Sequence, residues 1–236
     1  MKAIILAGGL GTRISEETDT KPKPMVLLDD KPIIWHLMNS FAVQGVTDFV
    51  IATGYLGHVI HDWVDSLDTE WDVKALDTGS NTMTGGRIRA CMEFIGDERV
   101  FATYGDGLGN INLGKLLDFH SHQARLATVT AVRPPARFGV LESKNGLVTH
   151  FGEKRQADAG WINGGYFVLE HEVLNAIRSD LEPFETGALP RLVERQELSS
   201  YEHSDFWQPM DTLREKNELS KMAFEATPPW LANLGD

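Results

Sequence analysis

A chain of 236 residues that is 42% hydrophobic and carries a formal net charge of −12 has the composition of a folded protein, not of a disordered one. The acidic balance argues against nonspecific nucleic-acid binding, which draws on an excess of Lys and Arg. No apolar run approaches the roughly 18 residues of a membrane span, and the single cysteine, Cys91, allows no internal disulfide.

The elements can be taken in chain order. Residues 3–6 read as a buried strand that breaks into Gly8, Gly9 and Gly11, with Arg13 following. That apolar run ends in glycines and has no small-residue cleavage site, and the single cysteine suits a reducing compartment, so a cytoplasmic protein is expected. Pro32 opens a helix over 33–43, and a strand over 48–52 and a helix over 57–67 come next. A strand over 71–76, a helix over 87–95 and a strand over 100–104 continue the alternation. A helix over 113–123 leads into the β-branched run 127–132. Strands separated by helices of this length predict βαβ units and a mostly parallel sheet with helices on both faces. Near-continuous apolar strands fit burial on two sides.

After Pro134 and Pro135 the rhythm becomes sheet-rich. Runs at 140–142 and 147–152 flank Lys144, Asn145 and Gly146, a hairpin signal. A strand over 161–169, helices over 173–177 and 187–194, and extended segments over 198–203 and 206–209 precede a final helix over 211–224. With no repeat or linker, one α/β domain over 1–236 is expected, in two portions of about 1–133 and 134–236. Cys91 falls on a predicted helix and reads as a buried thiol. The eight histidines lack the spacing of a zinc site.

The glycine turn fits neither familiar nucleotide loop. A dinucleotide fingerprint places its third glycine where Ile14 stands, and a P-loop needs a Gly-Lys pair that is absent here. Two readings remain: a structural turn, or backbone N–H groups that approach phosphate oxygens closely. The segment KPKPM holds Lys21 and Lys23 in extended geometry between prolines, either as solvated lysines or aimed across the loop. Asp106, between two glycines, suits a turn, and Asp211 could cap the last helix. Glu153 and Lys154 could be a solvated ion pair, and Trp207 a core residue.

LAGGLGTR followed by KPKPM resembles the signature of the sugar-phosphate nucleotidyltransferases. TMTGGR, TYGDG, INGGYFVLE and FWQPMDT resemble the branch that makes CDP-glucose from CTP and glucose 1-phosphate. The resemblance implies the nucleotide-diphospho-sugar transferase fold, a Rossmann-like sheet with a smaller sheet-rich sugar-binding portion. It makes 1–133 the nucleotide-binding half and 134–236 the sugar-phosphate half. Leu6, Ala7, Gly8, Gly9, Leu10, Gly11, Thr12 and Arg13 would form the loop over the nucleotide. Arg13 and Lys23 would be catalytic, with Lys21 the lesser candidate. Thr82, Arg87 and Gly105 would lie at the nucleotide. Gly139, Glu153, Lys154 and Asn163 would meet the sugar phosphate, and Asp106 and Asp211 would hold Mg²⁺.

The implied reaction is in-line displacement at the α-phosphorus, which needs cations and positioning but no side-chain nucleophile. Mg²⁺ binds through one or two carboxylates plus substrate phosphates. Without a cation between them, two close carboxylates would repel. The implied partners are CTP and a sugar 1-phosphate, with neither nucleic acid nor membrane, and with room for a homo-oligomer. The same fold serves enzymes that use UTP, dTTP or GTP. A non-catalytic nucleotide-sugar-binding protein is the alternative of another class, disfavoured by the joint presence of Arg13, Lys23, Asp106 and Asp211. Two features depart from the branch: a shortened segment before Asp77, and Arg155 where proline is usual.

Overall fold

The computed structural model describes residues 1–9, 11, 15–134, 139–153 and 160–234. Strand β1, Lys2–Leu6, is apolar from Ala3 onward, where it is covered on both sides. Ala3 and Ile5 enter one core, and Ile4 and Leu6 the other. After the glycines come a short helix α1, Ser15–Thr18, and the segment expected to be extended. Instead, Lys23–Met25 is a 3₁₀ turn entered from Pro22, with Pro24 in its first turn. Proline has no N–H to lose at a helix start, which is why KPKP permits the turn.

Two short strands, β2 (Leu27–Leu28) and β3 (Lys31–Pro32), pair with each other and lead to α2, Ile33–Ala42. The alternation then runs through β4 (Asp48–Thr53), α3 (Gly57–Asp65), β5 (Asp72–Asp77), α4 (Thr84–Ile95) and β6 (Val100–Tyr104). Helix α4 starts before the expected Arg87, so Thr84, Gly85 and Gly86 form its first turn. A cramped site explains the glycines: a Cβ at Gly86 would lie 2.5 Å from the backbone of Asp180. Cys91 on this helix is fully buried, and burial pushes its thiol up to about 12.

A three-residue strand, β7 (Gly107–Gly109), precedes α5 (Leu113–Gln123) and β8 (Ala127–Val132). The expected hairpin is present as β9 (Gly139–Lys144) and β10 (Leu147–Glu153). Its turn residues Asn145 and Gly146 both have positive φ, 52° and 82°, the geometry that suits a two-residue hairpin. Strand β11 (Ile162–Leu169) is followed by a 3₁₀ segment over His171–Ala176, where a helix was expected. Helix α6 (Ala188–Glu194), β12 (Leu198–His203), β13 (Trp207–Pro209) and α7 (Leu213–Ala223) complete the order.

Seven strands form one sheet in the order β12-β8-β11-β6-β1-β4-β5. All neighbours are parallel except β11, which runs antiparallel to both β6 and β8. Residues of α2, α5 and α7 pack with Ala3 and Ile5 on one face, while α4 and α6 pack with Ile4 and Leu6 on the other. No helix among the described residues is long and apolar enough to cross a membrane.

Candidate active site

Strands β6, β1 and β4 are adjacent and parallel, so their carboxyl ends open on one crevice, where open α/β sheets place ligands. A cavity of about 1080 Å³ occupies it, ample for a nucleotide and a sugar together. Leu6, Ala7, Gly8, Gly9 and Gly11 form one wall. Gly105 sits behind them, and its N–H donates to the carbonyl of Leu6 at 3.0 Å. A Cβ there would stand 3.1 Å from that same oxygen.

The three groups from distant parts of the chain meet in this cavity. Asp106 follows β6, and β7 and β13 pair antiparallel with Gly107 opposite Pro209. That ladder, reinforced by Met210 N–H donating to the Asp106 carbonyl at 2.8 Å, brings Asp211 beside Asp106. Lys23 lies between them: its Nζ donates to Asp106 Oδ2 at 2.6 Å and to Asp211 Oδ1 at 2.8 Å. The lysine is 8% exposed. Burial alone would lower its pKa, but the two carboxylates outweigh burial and hold it above the ordinary lysine value. The expected repulsion between the carboxylates is thus relieved by an ammonium.

Asp211 is not the helix cap. Thr212 caps α7 in a reciprocal capping box with Glu215, and the Asp211 carboxylate turns to Lys23. Because both carboxylates touch one Nζ, a single cation can bridge them. Two convergent carboxylate oxygens are the hard donor set that a magnesium-sized cation accepts, with phosphate oxygens completing the shell. Among the described residues no cluster of three or more His, Cys, Asp or Glu offers another metal site.

Arg87 and Thr82 also line the cavity. The buried Arg87 guanidinium donates to the carbonyls of Thr53 at 2.7 Å and Gly8 at 3.0 Å, and to Thr78 Oγ1. It therefore ties the ends of β1 and β4 together. Gly8 and Gly54 make room for it, since a Cβ at either would fall within 2.5 Å of the guanidinium. Desolvation lowers the Arg87 pKa from its ordinary value. Asn163 projects from β11 at a register shift between Asn163 and Phe167, the sort of bulge that re-aims a side chain beside a site. Gly139 and Glu153 face each other across the hairpin backbone. Leu10, Thr12, Arg13 and Lys154 lie outside the described residues.

The cavity has bare glycine backbone along one wall, and beside it two carboxylates close enough to share one cation. The family model for nucleotidyl transferases matches residues 2–214. The chain belongs to the nucleotidyl transferase family. Glucose-1-phosphate cytidylyltransferase of Salmonella typhimurium is 42% identical, with 98% of each chain covered. The alignment spans 253 positions, more than this chain has residues, so that relative carries residues absent here. The probable glucose-1-phosphate cytidylyltransferase of Bacillus subtilis is 38% identical over 98% of this chain and 99% of its own. Among solved structures, HddC of Yersinia pseudotuberculosis complexed with GMP-PN has a TM-score of 0.74 at 23% identity, covering 95% and 99% of the two chains. That likeness is one of fold. Nucleotidyl transferases generally act with a divalent metal ion on a nucleoside triphosphate and a sugar phosphate.

Among the lining residues of this nucleotidyl transferase that the sequence does not assign to the site are Thr84, Tyr104, Glu185 and Trp207. Trp207 packs against the core that holds Ala3 and Ile5, as expected, and it also lines the cavity, with its Nε1 donating to the Gly164 carbonyl at 2.8 Å. Tyr104 was visible only as part of TYGDG. Its hydroxyl donates to Glu185, and burial together with that carboxylate raises its pKa. Glu185 carries no periodicity or motif signal of its own.

Proposed function

We propose that the protein transfers the cytidylyl group of CTP to glucose 1-phosphate, giving CDP-glucose and pyrophosphate. The observation that carries this reading is the meeting of Lys23, Asp106 and Asp211 in a glycine-walled cavity. The names of the 42% and 38% identical relatives support the choice of base and sugar. A phosphate oxygen of the sugar phosphate attacks the α-phosphorus, and the bond to the β-phosphate oxygen breaks. Mg²⁺ held by Asp106 and Asp211 would neutralise the triphosphate charge and orient its oxygens.

The protein's own groups do the rest. The glycine turn presents backbone N–H groups to phosphate oxygens, and Arg13 and Lys23 offset charge on the leaving pyrophosphate. Thr82 lies on the nucleotide side, and Asn163, Glu153 and Lys154 meet the sugar phosphate. Residues 1–133 thus serve mainly the nucleotide and 134–236 mainly the sugar phosphate. The cytoplasm is the compartment that fits this reading.

The test is pyrophosphate release with Mg²⁺, each NTP and a panel of sugar 1-phosphates. CTP with glucose 1-phosphate is expected to give the highest kcat/KM. A higher value for another NTP would overturn the choice of base, and no release from any pair would overturn the transferase reading.

A further inference from the structure

One hydrogen-bond chain crosses the cavity from its nucleotide side to its sugar side. The Phe184 N–H donates to Thr84 Oγ1 at 2.8 Å, and the Thr84 hydroxyl donates to Glu185 Oε2 at 2.7 Å. On the other side, the Tyr104 hydroxyl donates to Glu185 Oε1. Asn163 Nδ2 donates to the Tyr104 oxygen at 3.3 Å, and the Gly165 N–H donates to Asn163 Oδ1 at 2.8 Å. Backbone N–H groups stand at both ends and a carboxylate, which only accepts when ionised, stands in the middle. Every donor in the chain therefore has one possible direction. Thr84, Tyr104, Asn163 and Glu185 all line the cavity.

That fixed polarity matters at Asn163. A carboxamide can turn over and present either its oxygen or its nitrogen, and its partners decide which. Here the Gly165 N–H demands the oxygen. The Tyr104 hydroxyl, whose proton is committed to Glu185, can only accept and so demands the nitrogen. Local packing holds the ring in place: Gly165 has φ +78°, and a Cβ there would lie 2.3 Å from the Tyr104 ring. Nδ2 has two hydrogens, of which Tyr104 takes one. The second is a donor of defined direction at the exposed edge of the cavity.

We propose that Glu185 is the specificity-determining positioning residue for the sugar phosphate, acting through Tyr104 to make Asn163 an obligate hydrogen-bond donor to a sugar hydroxyl. Glu185 touches neither substrate in this role. A sugar is then selected for a hydroxyl oxygen where Asn163 donates, and an analogue lacking that oxygen leaves the amide unpaired. The inference rests on the transferase reading given above.

The experiment compares wild type with Tyr104→Phe, Glu185→Gln and Glu185→Ala, using CTP, glucose 1-phosphate and its monodeoxy analogues. Tyr104→Phe keeps the ring against Gly165 and so tests the chain without emptying the core. Tyr104→Phe and Glu185→Ala are each expected to raise KM for glucose 1-phosphate about tenfold while KM for CTP stays within about twofold. Glu185→Gln should stay near wild type, because its amide oxygen still accepts from Tyr104 while its nitrogen donates to Thr84 Oγ1. One monodeoxy analogue is expected to be penalised by wild type, and that penalty should largely vanish in Tyr104→Phe. The double variant Tyr104→Phe/Glu185→Ala should be no worse than the worse single variant, because the two act in series. Unchanged KM for the sugar phosphate, or equal rises for both substrates, in the folded Tyr104→Phe and Glu185→Ala proteins would overturn the role of Glu185 alone. Absence of turnover by wild type with every NTP would overturn the transferase reading, and this proposal with it.

Discussion

Replacing Lys23 with Met is expected to lower kcat/KM by at least about a hundredfold, the loss that accompanies removal of a charged transition-state contact from a preorganised site. Lys21→Ala should lose far less, because Lys21 is only half-buried while Lys23 is 8% exposed within the cavity. The lysine has a second role. Its ammonium stands between Asp106 and Asp211, so Lys23→Met leaves two carboxylates facing each other. The metal-free variant should lose on the order of 1–3 kcal/mol, less than the roughly 3–5 kcal/mol of breaking a fully buried ion pair, because both aspartates keep some exposure. A fall of several degrees in Tm would register it.

The same geometry makes a prediction about metal. A divalent cation and the Lys23 ammonium seek the same carboxylate oxygens, and like charges exclude one another. Lys23→Met without nucleotide is therefore expected to bind Mn²⁺ more tightly than wild type, by about tenfold, measured by calorimetry. Equal or weaker binding would mean that the metal takes other ligands. The pH dependence follows from the sign of the shift. Lys23 has a folded-state pKa above the ordinary 10.5, so its stabilisation is complete below that value and lost as pH rises through the raised one. Wild type should lose stability on that alkaline limb, and the Met variant should lack that component.

The sheet was legible because burial on both faces writes long apolar runs. Ile4, Ile5 and Leu6, and Val50, Ile51 and Ala52, are buried to within 9% exposure or less, and both runs read as strands from the sequence alone. The antiparallel direction of β11 was not legible, since a buried strand carries no mark of which way it runs. Lys23–Met25 reads as extended from the sequence, but the prolines that stiffen KPKPM also permit the 3₁₀ turn it forms. The pairing of Asp106 with Asp211 rests on β7 and β13, strands of three residues each. Segments so short and glycine- or proline-containing have no period to detect. Their nearness could be expected only through resemblance to a family. Glu185 was invisible for a different reason: its role lies in the direction of its hydrogen bonds, which no spacing encodes.

Asp106→Asn and Asp211→Asn are each expected to abolish a large fraction of kcat and to raise the Mg²⁺ requirement, because each keeps the shape of the side chain but removes a charge from the shared cation site. Their stability should behave differently from their activity. Each single variant leaves Lys23 paired with one carboxylate, so the metal-free protein should soften only modestly. Relief of repulsion between the carboxylates does not offset that loss, because the Lys23 ammonium already stands between them. The double variant strands a buried ammonium with no counter-charge, which is the costly case, and its Tm should fall by more than the sum of the singles. Its kcat, in contrast, should be little worse than the worse single, since the two carboxylates act as one unit. Thr212→Ala is the control for the neighbouring helix. Loss of that cap should cost about 1 kcal/mol of stability while turnover stays near that of wild type, because Thr212 and not Asp211 begins α7. If Asp211→Asn retains near-normal turnover while Tm falls, its carboxylate serves only to anchor Lys23, and the metal is held elsewhere.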